Sequence, residues 1–220
     1  MLRQVGRARL DVELAARNSL EIDQTARTSY GIALQAGPER LISELIAGLK
    51  RGRTLAGYAD LVASTAAERA VASPAGLDPF LLALATRFLI GFSRTSYRVL
   101  SLLTAARTVA RVPSGEVPRP AAIADPGAAL NELELAVEGD DDREAVSLAL
   151  GLADAAEPRD VARVLLRQAA LQDAHVDRGL GLLLAAWATE FASVAPRPAL
   201  SALAACLART QKSRTIADGL

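Results

Sequence analysis

Apolar residues recur three and four positions apart along most of the chain, and no run alternates apolar and polar residues between turn signals, which predicts an all-α fold. Leu10, Leu14 and Ala15 begin a first helix that continues, with a weak point at Asn18 and Ser19, through Ile22, Ala26 and Tyr30 toward Leu34. Gly37 stops it, and Pro38 opens a second helix with the stripe Leu41, Leu45, Ile46 and Leu49. Lys50, Arg51 and Gly52 close that helix with basic residues and a glycine. Leu55, Tyr58, Leu61, Val62 and Ala66 mark the third, and Ser73-Pro74-Ala75-Gly76 breaks the chain after it. Asp78 and Pro79 then read as an N-cap followed by a first-turn proline, ahead of Leu81, Leu82, Leu84, Phe88, Leu89 and Ile90. Beyond the polar interruption Ser93-Arg94-Thr95, a helix carrying Tyr97, Val99, Leu100, Leu103 and Val109 runs to Pro113.

From 113 to 127 the chain has four prolines and two glycines, the composition of a linker. The order of signals then repeats. Asp125-Pro126 opens a helix with Leu130, Leu133, Leu135 and Val137, and an acidic turn leads into Val146, Leu148, Leu150 and Leu152. Pro158 starts the stripe Val161, Val164, Leu165, Ala169 and Leu171; the next helix carries Leu182, Leu183, Ala186, Trp187 and Phe191. Pro196 separates it from a last helix with Leu200, Leu203 and Leu207, whose polar tail from Thr210 is expected to fray. Pro38, Pro79 and Pro113 thus match Pro126, Pro158 and Pro196 in order, which predicts two similar four-helix repeats with an extra helix at each end. Residues 1–112 form the first repeat with its leading helix, 113–127 the linker, and 128–220 the second repeat with its closing helix, all within one compact unit.

Composition narrows the partners. Hydrophobic residues make up 51% of the chain but aromatics only 4%, so the core is built from Leu, Ala, Val and Ile. Basic and acidic side chains balance at 25 each, leaving no cationic excess for nucleic acid or an anionic membrane. The most apolar stretches, Phe80 to Phe92 and Leu180 to Ala188, read as interrupted or too short for the ~20 residues that span a bilayer. Asp11 and Glu13 stand where a signal peptide needs its apolar run, so the expectation is a cytoplasmic protein. A single cysteine, Cys206 in an Ala- and Leu-rich setting, excludes an internal disulfide and any Cys-x-x-Cys site and reads as core.

Candidate chemistry gathers at one place. His175, the only histidine, is flanked by Asp173 and Asp177, and imidazole beside carboxylates can bind one metal ion or move a proton near neutral pH. Residues two apart on a helix point about 200° away from each other, so the three converge only where the helix ends, and Gly179 supplies such an end. A capped helix junction accounts for the same residues without a cofactor. The run Asp140-Asp141-Asp142 lacks a further acid one turn on and reads as an N-cap with Glu144 in the first turn, not as a magnesium site. Glu132 and Glu134 read as a solvated pair. Glu-x-x-His pairs, a Gly-x-Ser-x-Gly elbow and phosphate loops are absent from the sequence. Phe88, Phe92 and Tyr97 in the first half correspond to Trp187 and Phe191 in the second, and could line an apolar pocket or simply pack the core.

The segment from Pro158 to Gly179, with its Gln172-Asp173-Ala174-His175-Val176-Asp177-Arg178 turn and the helix after it, resembles a helical repeat region of bacterial proteins that carry a Rieske-type iron-sulfur domain. That resemblance implies an oxidoreductase-associated helical module with a metal-binding polar turn. The chain has no Cys-x-His pair, so it holds no Rieske cluster itself. Two functional readings follow. One is a non-catalytic helical module, self-associating or an accessory subunit, that binds a protein or an apolar small molecule. The other is a small helical enzyme acting on an apolar substrate at His175, Asp173 and Asp177.

Overall fold

Capping residues decide where the helices begin, and they begin where side-chain acceptors meet free backbone donors. The computed structural model describes residues 19–92, 97–173 and 180–218, without side chains at 172, 173, 180 and 210–218. The chain is all-α, with ten α-helices and no strand among the described residues. These residues fall into two compact units, one within Met1–Ala66 and Asp78–Pro113, the other within Ala67–Leu77 and Ser114–Leu220.

The first unit holds α1 (Gln24–Gln35), α2 (Pro38–Lys50), most of α3 (Leu55–Ala72), most of α4 (Leu77–Phe92) and α5 (Tyr97–Val109). The helix expected to continue past a weak point at Asn18 and Ser19 through Ile22 starts instead at Gln24, and the expected turns around Leu10 and Leu14 lie outside the described residues. Asp23 sets that start: its carboxylate accepts from the Ala26 amide at 2.8 Å and pairs with Arg53 at 2.9 Å. Leu20 is drawn away into a short bridge, donating to Gly52 O at 3.1 Å and accepting from Thr54 N at 3.0 Å. Gly37, at φ 105°, makes the turn into α2 in the left-handed region that favours glycine. Tyr58, Phe80, Leu41, Leu45, Leu102 and Leu103 fill the core, and α2 packs on both α1 and α5.

α4 begins earlier than its sequence suggests. Ser73 accepts from Ala75 N, Pro74 sits at the first position, and a 3-10 turn Pro74–Gly76 leads without a break into the α-helix at Leu77. Asp78 therefore lies in the first turn instead of capping it. The apolar stretch expected to be too short consequently becomes a helical run, Pro74–Phe92, of 19 residues with mean hydropathy 1.5. By length and composition it could cross a bilayer, and 39% of it is buried inside the protein.

The second unit contains the end of α3, then α6 (Pro126–Glu138), α7 (Asp142–Ala155), α8 (Pro158–Asp173), α9 (Leu180–Phe191) and α10 (Pro196–Asp218). Asp125 caps α6 by accepting from Gly127 N at 2.8 Å, and Asp141 caps α7 by accepting from Glu144 N at 3.0 Å, as the acidic turn predicts. α10 packs against α6, α7, α8 and α9. Every residue from Ala199 to Ala208 is buried, which an Ala-rich stretch permits because small side chains let four helices approach from different sides. The helix runs on to Asp218, through the polar tail from Thr210 that was expected to fray.

The Pro-rich segment before α6 is fastened to α7. Ala121 N donates to Ser147 O at 2.9 Å, and the Ser147 hydroxyl donates to Arg119 O at 2.9 Å. Gly151 of α7 leaves the room this needs, since a Cβ there would lie 2.9 Å from Ile123 Cγ1 and closer still to Ala121 O.

Candidate functional site

α4 is apolar nearly all round, so burying one side leaves apolar residues of another in water. Its inner side presents Phe80, Ala83, Leu84, Thr86 and Ile90, all buried, and Arg87 reaches the Asp60 carboxylate of α3 at 2.7 Å. Leu82, Phe88, Leu89 and Phe92 are exposed; Phe92 keeps 77% of its surface and Leu89 49%. The rings of Phe88 and Phe92, one turn apart, pack on each other with centroids 4.6 Å apart and planes tilted by 36°. Tyr97, at the start of α5, is 71% exposed. The stripe therefore exposes four large apolar side chains around the small residue Ala85.

The remaining candidates fall elsewhere. Phe191 is fully buried in the core of the second unit, and Trp187 is half-buried on α9, whose outer side exposes Leu182 and Leu183. His175 and Asp177 lie outside the described residues, and Asp173 is described only as the last backbone position of α8. Among the described residues, no three His, Cys, Asp or Glu side chains come together as a metal would require.

Two polar arrangements in the second unit escaped the reading of the sequence. Glu134 is not simply solvated: its carboxylate accepts from the buried Gln168 amide at 2.9 Å and from the Arg167 guanidinium, while Gln168 also donates to Glu138 at 2.9 Å. This amide ties α8 to α6 and leaves its donors paired. A cleft of about 340 Å³ is lined by Val71, Ala72, Glu116, Asp142, Arg143 and Arg209, among others. Arg209 donates there to Ala70 O, to Val71 O at 2.8 Å and to Asp142 at 2.6 Å, so the guanidinium is occupied in holding the fold.

Cys206 sits one turn before Arg209, 2% exposed, and burial pushes its thiol up to about 12. The thiolate is the nucleophile, so a native thiol held this high is inert. Ellman's reagent at pH 8 is expected to label the native protein at least ~100-fold more slowly than the denatured chain. Equal rates would show that the α10 core opens freely.

No signal other than the surplus of apolar positions on α4 could have singled out Leu82, Ala85 and Leu89, because periodicity does not distinguish the inner from the outer side of such a helix. No family model matches the chain, and neither a curated protein nor a solved structure is significantly similar to it.

Proposed function

We propose that this chain is a non-catalytic helical interaction module that docks a protein partner on the outer face of α4. The observation that carries the reading is the exposed stripe Leu82, Phe88, Leu89 and Phe92, with two aromatic rings already stacked, backed by a helix whose other side is locked into a core. Aromatic anchors on a rigid element lose little entropy on binding and account for most of the affinity at protein interfaces. The balanced charge offers nothing to anionic headgroups, which favours a protein over a bilayer as cover for this face and fits a cytoplasmic setting.

A photoreactive benzoylphenylalanine at Phe92, introduced in cells producing the chain at its normal level, tests this directly. Irradiation is expected to give discrete protein adducts. The same probe at Glu132, exposed on α6, is expected to give none. Absence of any protein adduct at Phe92 would remove the reading, and an adduct with lipid alone would reassign the face to a membrane surface.

A further inference from the structure

The α4 face is self-complementary when turned end for end. Asp78, Ala85 and Phe92 are spaced seven apart, and a heptad drifts by only about 20° around a helix, so the three form its central line. Leu81 and Leu82 flank that line on one side of Ala85 along the axis, and Phe88 and Leu89 flank it on the other. Ala85 is the midpoint, and a small residue there lets a second helix approach closely.

Charge follows the same symmetry. Asp78 is exposed at the N-terminal end and has no ion pair among the described residues. At the other end, the part-buried Arg98 guanidinium donates from Nη1 to Ile90 O at 3.4 Å, with Nε buried, and so places its positive charge at the last turn of α4. A parallel pairing would set like charge against like. An antiparallel pairing sets each Asp78 at the end where the other copy carries Arg98, and opposes the two helix dipoles.

We infer that the occupant of this face is a second copy of the chain, laid antiparallel across it about a two-fold axis at Ala85. The inference rests on the α4 face being a protein-docking surface. Closed two-fold pairs need one patch that matches itself, which this stripe provides. Phe88 and Leu89 of each copy then pack beside Leu82 and Leu81 of the other, and the two Phe92 rings cover the ends.

Two measurements on the full chain decide it. Helices in contact at a small residue bring the facing Cα atoms within the ~4.4–6.8 Å that a disulfide requires. Ala85→Cys is therefore expected to form a disulfide-linked dimer under mild oxidation, whereas Asp78→Cys, with its counterpart at the far end, is expected to form none. The native thiol is buried and does not compete. In sedimentation velocity the unmodified protein is expected to dimerise, and Phe92→Glu to weaken the dimer at least ~10-fold with unchanged helix content, because Phe92 is 77% exposed and lies outside the core. Cross-linking at Asp78, alone or together with Ala85, would overturn the antiparallel pairing. A monomer that cross-links at neither position would overturn the second copy as occupant; if the Phe92 photoprobe then still captured protein, the docking reading itself would stand.

Discussion

Gly48→Ala is expected to destabilise the first unit by about 3 kcal/mol or more, although alanine is the better helix former by ~1 kcal/mol. Gly48 lies on α2 directly beneath the ring of Tyr58 from α3. A Cβ there would stand 2.6 Å from Cζ and 2.8 Å from Cε2, with the hydroxyl oxygen nearer still. Tyr58 is completely buried, so its ring has no solvent to swing into and must displace neighbours instead. Gly31, in the middle of α1, provides the opposite case, since nothing lies within 4 Å of its Cβ position. Gly31→Ala is expected to stabilise by up to ~1 kcal/mol for propensity alone. Urea denaturation followed by circular dichroism compares the two on one scale. If both substitutions shifted the midpoint in the same direction, the contact between Tyr58 and Gly48 would not be the constraint. Placing Gly48→Ala on a Tyr58→Ala background should abolish most of its cost, which identifies the ring as the cause.

The helices of this chain were legible mainly through their ends. Asp125 before Pro126, Asp141 before Glu144 and Gly37 before Pro38 each announce a start by chemistry confined to a few residues, and each is where the structure begins a helix. Ser73-Pro74 carries the same chemistry but also reads as a break, so α4 gains turns that the Asp78-Pro79 pair hides. Asp23 shows a similar ambiguity, since an acid within an apparently continuous pattern turned out to end the extended stretch and cap α1.

What sits inside was harder to read, for a physical reason. When a helix is apolar all round, as α4 nearly is, its periodicity has no phase, and only the neighbouring helices choose the face that goes inward. Phe88 and Phe92 consequently point to water whereas Phe191, on a similarly apolar helix, lies in a core. Polar side chains show the same limit. Glu134 reads as surface until Gln168 and Arg167, more than thirty positions away, are brought to its carboxylate by packing of α8 on α6. The candidate turn around His175 was legible as a composition, but convergence of His175, Asp173 and Asp177 depends on how a helix ends, and 174–179 lie outside the described residues.

The second large effect is expected at Arg209, which does for the second unit what no local signal in the sequence suggests. A helix ends with four carbonyls that lack intrahelical donors, and the last turn of α3 presents two of them, Ala70 O and Val71 O, to the Arg209 guanidinium. The third edge of the same planar group holds Asp142, in the first turn of α7. With its side chain only 18% exposed, Arg209 thereby joins α3, α7 and α10 through charge-assisted bonds. Arg209→Ala removes all of them and leaves two carbonyls and a carboxylate without partners, a cost of about 2–3 kcal/mol after allowing for the partial exposure of the pair. Arg209→Lys should recover little, because one ammonium cannot meet three acceptors spread around a planar fork. Asp142→Ala should cost about 1 kcal/mol, since it leaves the two backbone bonds in place. Denaturation midpoints would give this order, and the thiol of Cys206 would report it independently: weakening the anchor one turn away should speed its labelling in Arg209→Ala well before it does so in Asp142→Ala. Equal stabilities for the three variants would mean that α10 is held by its alanine packing alone.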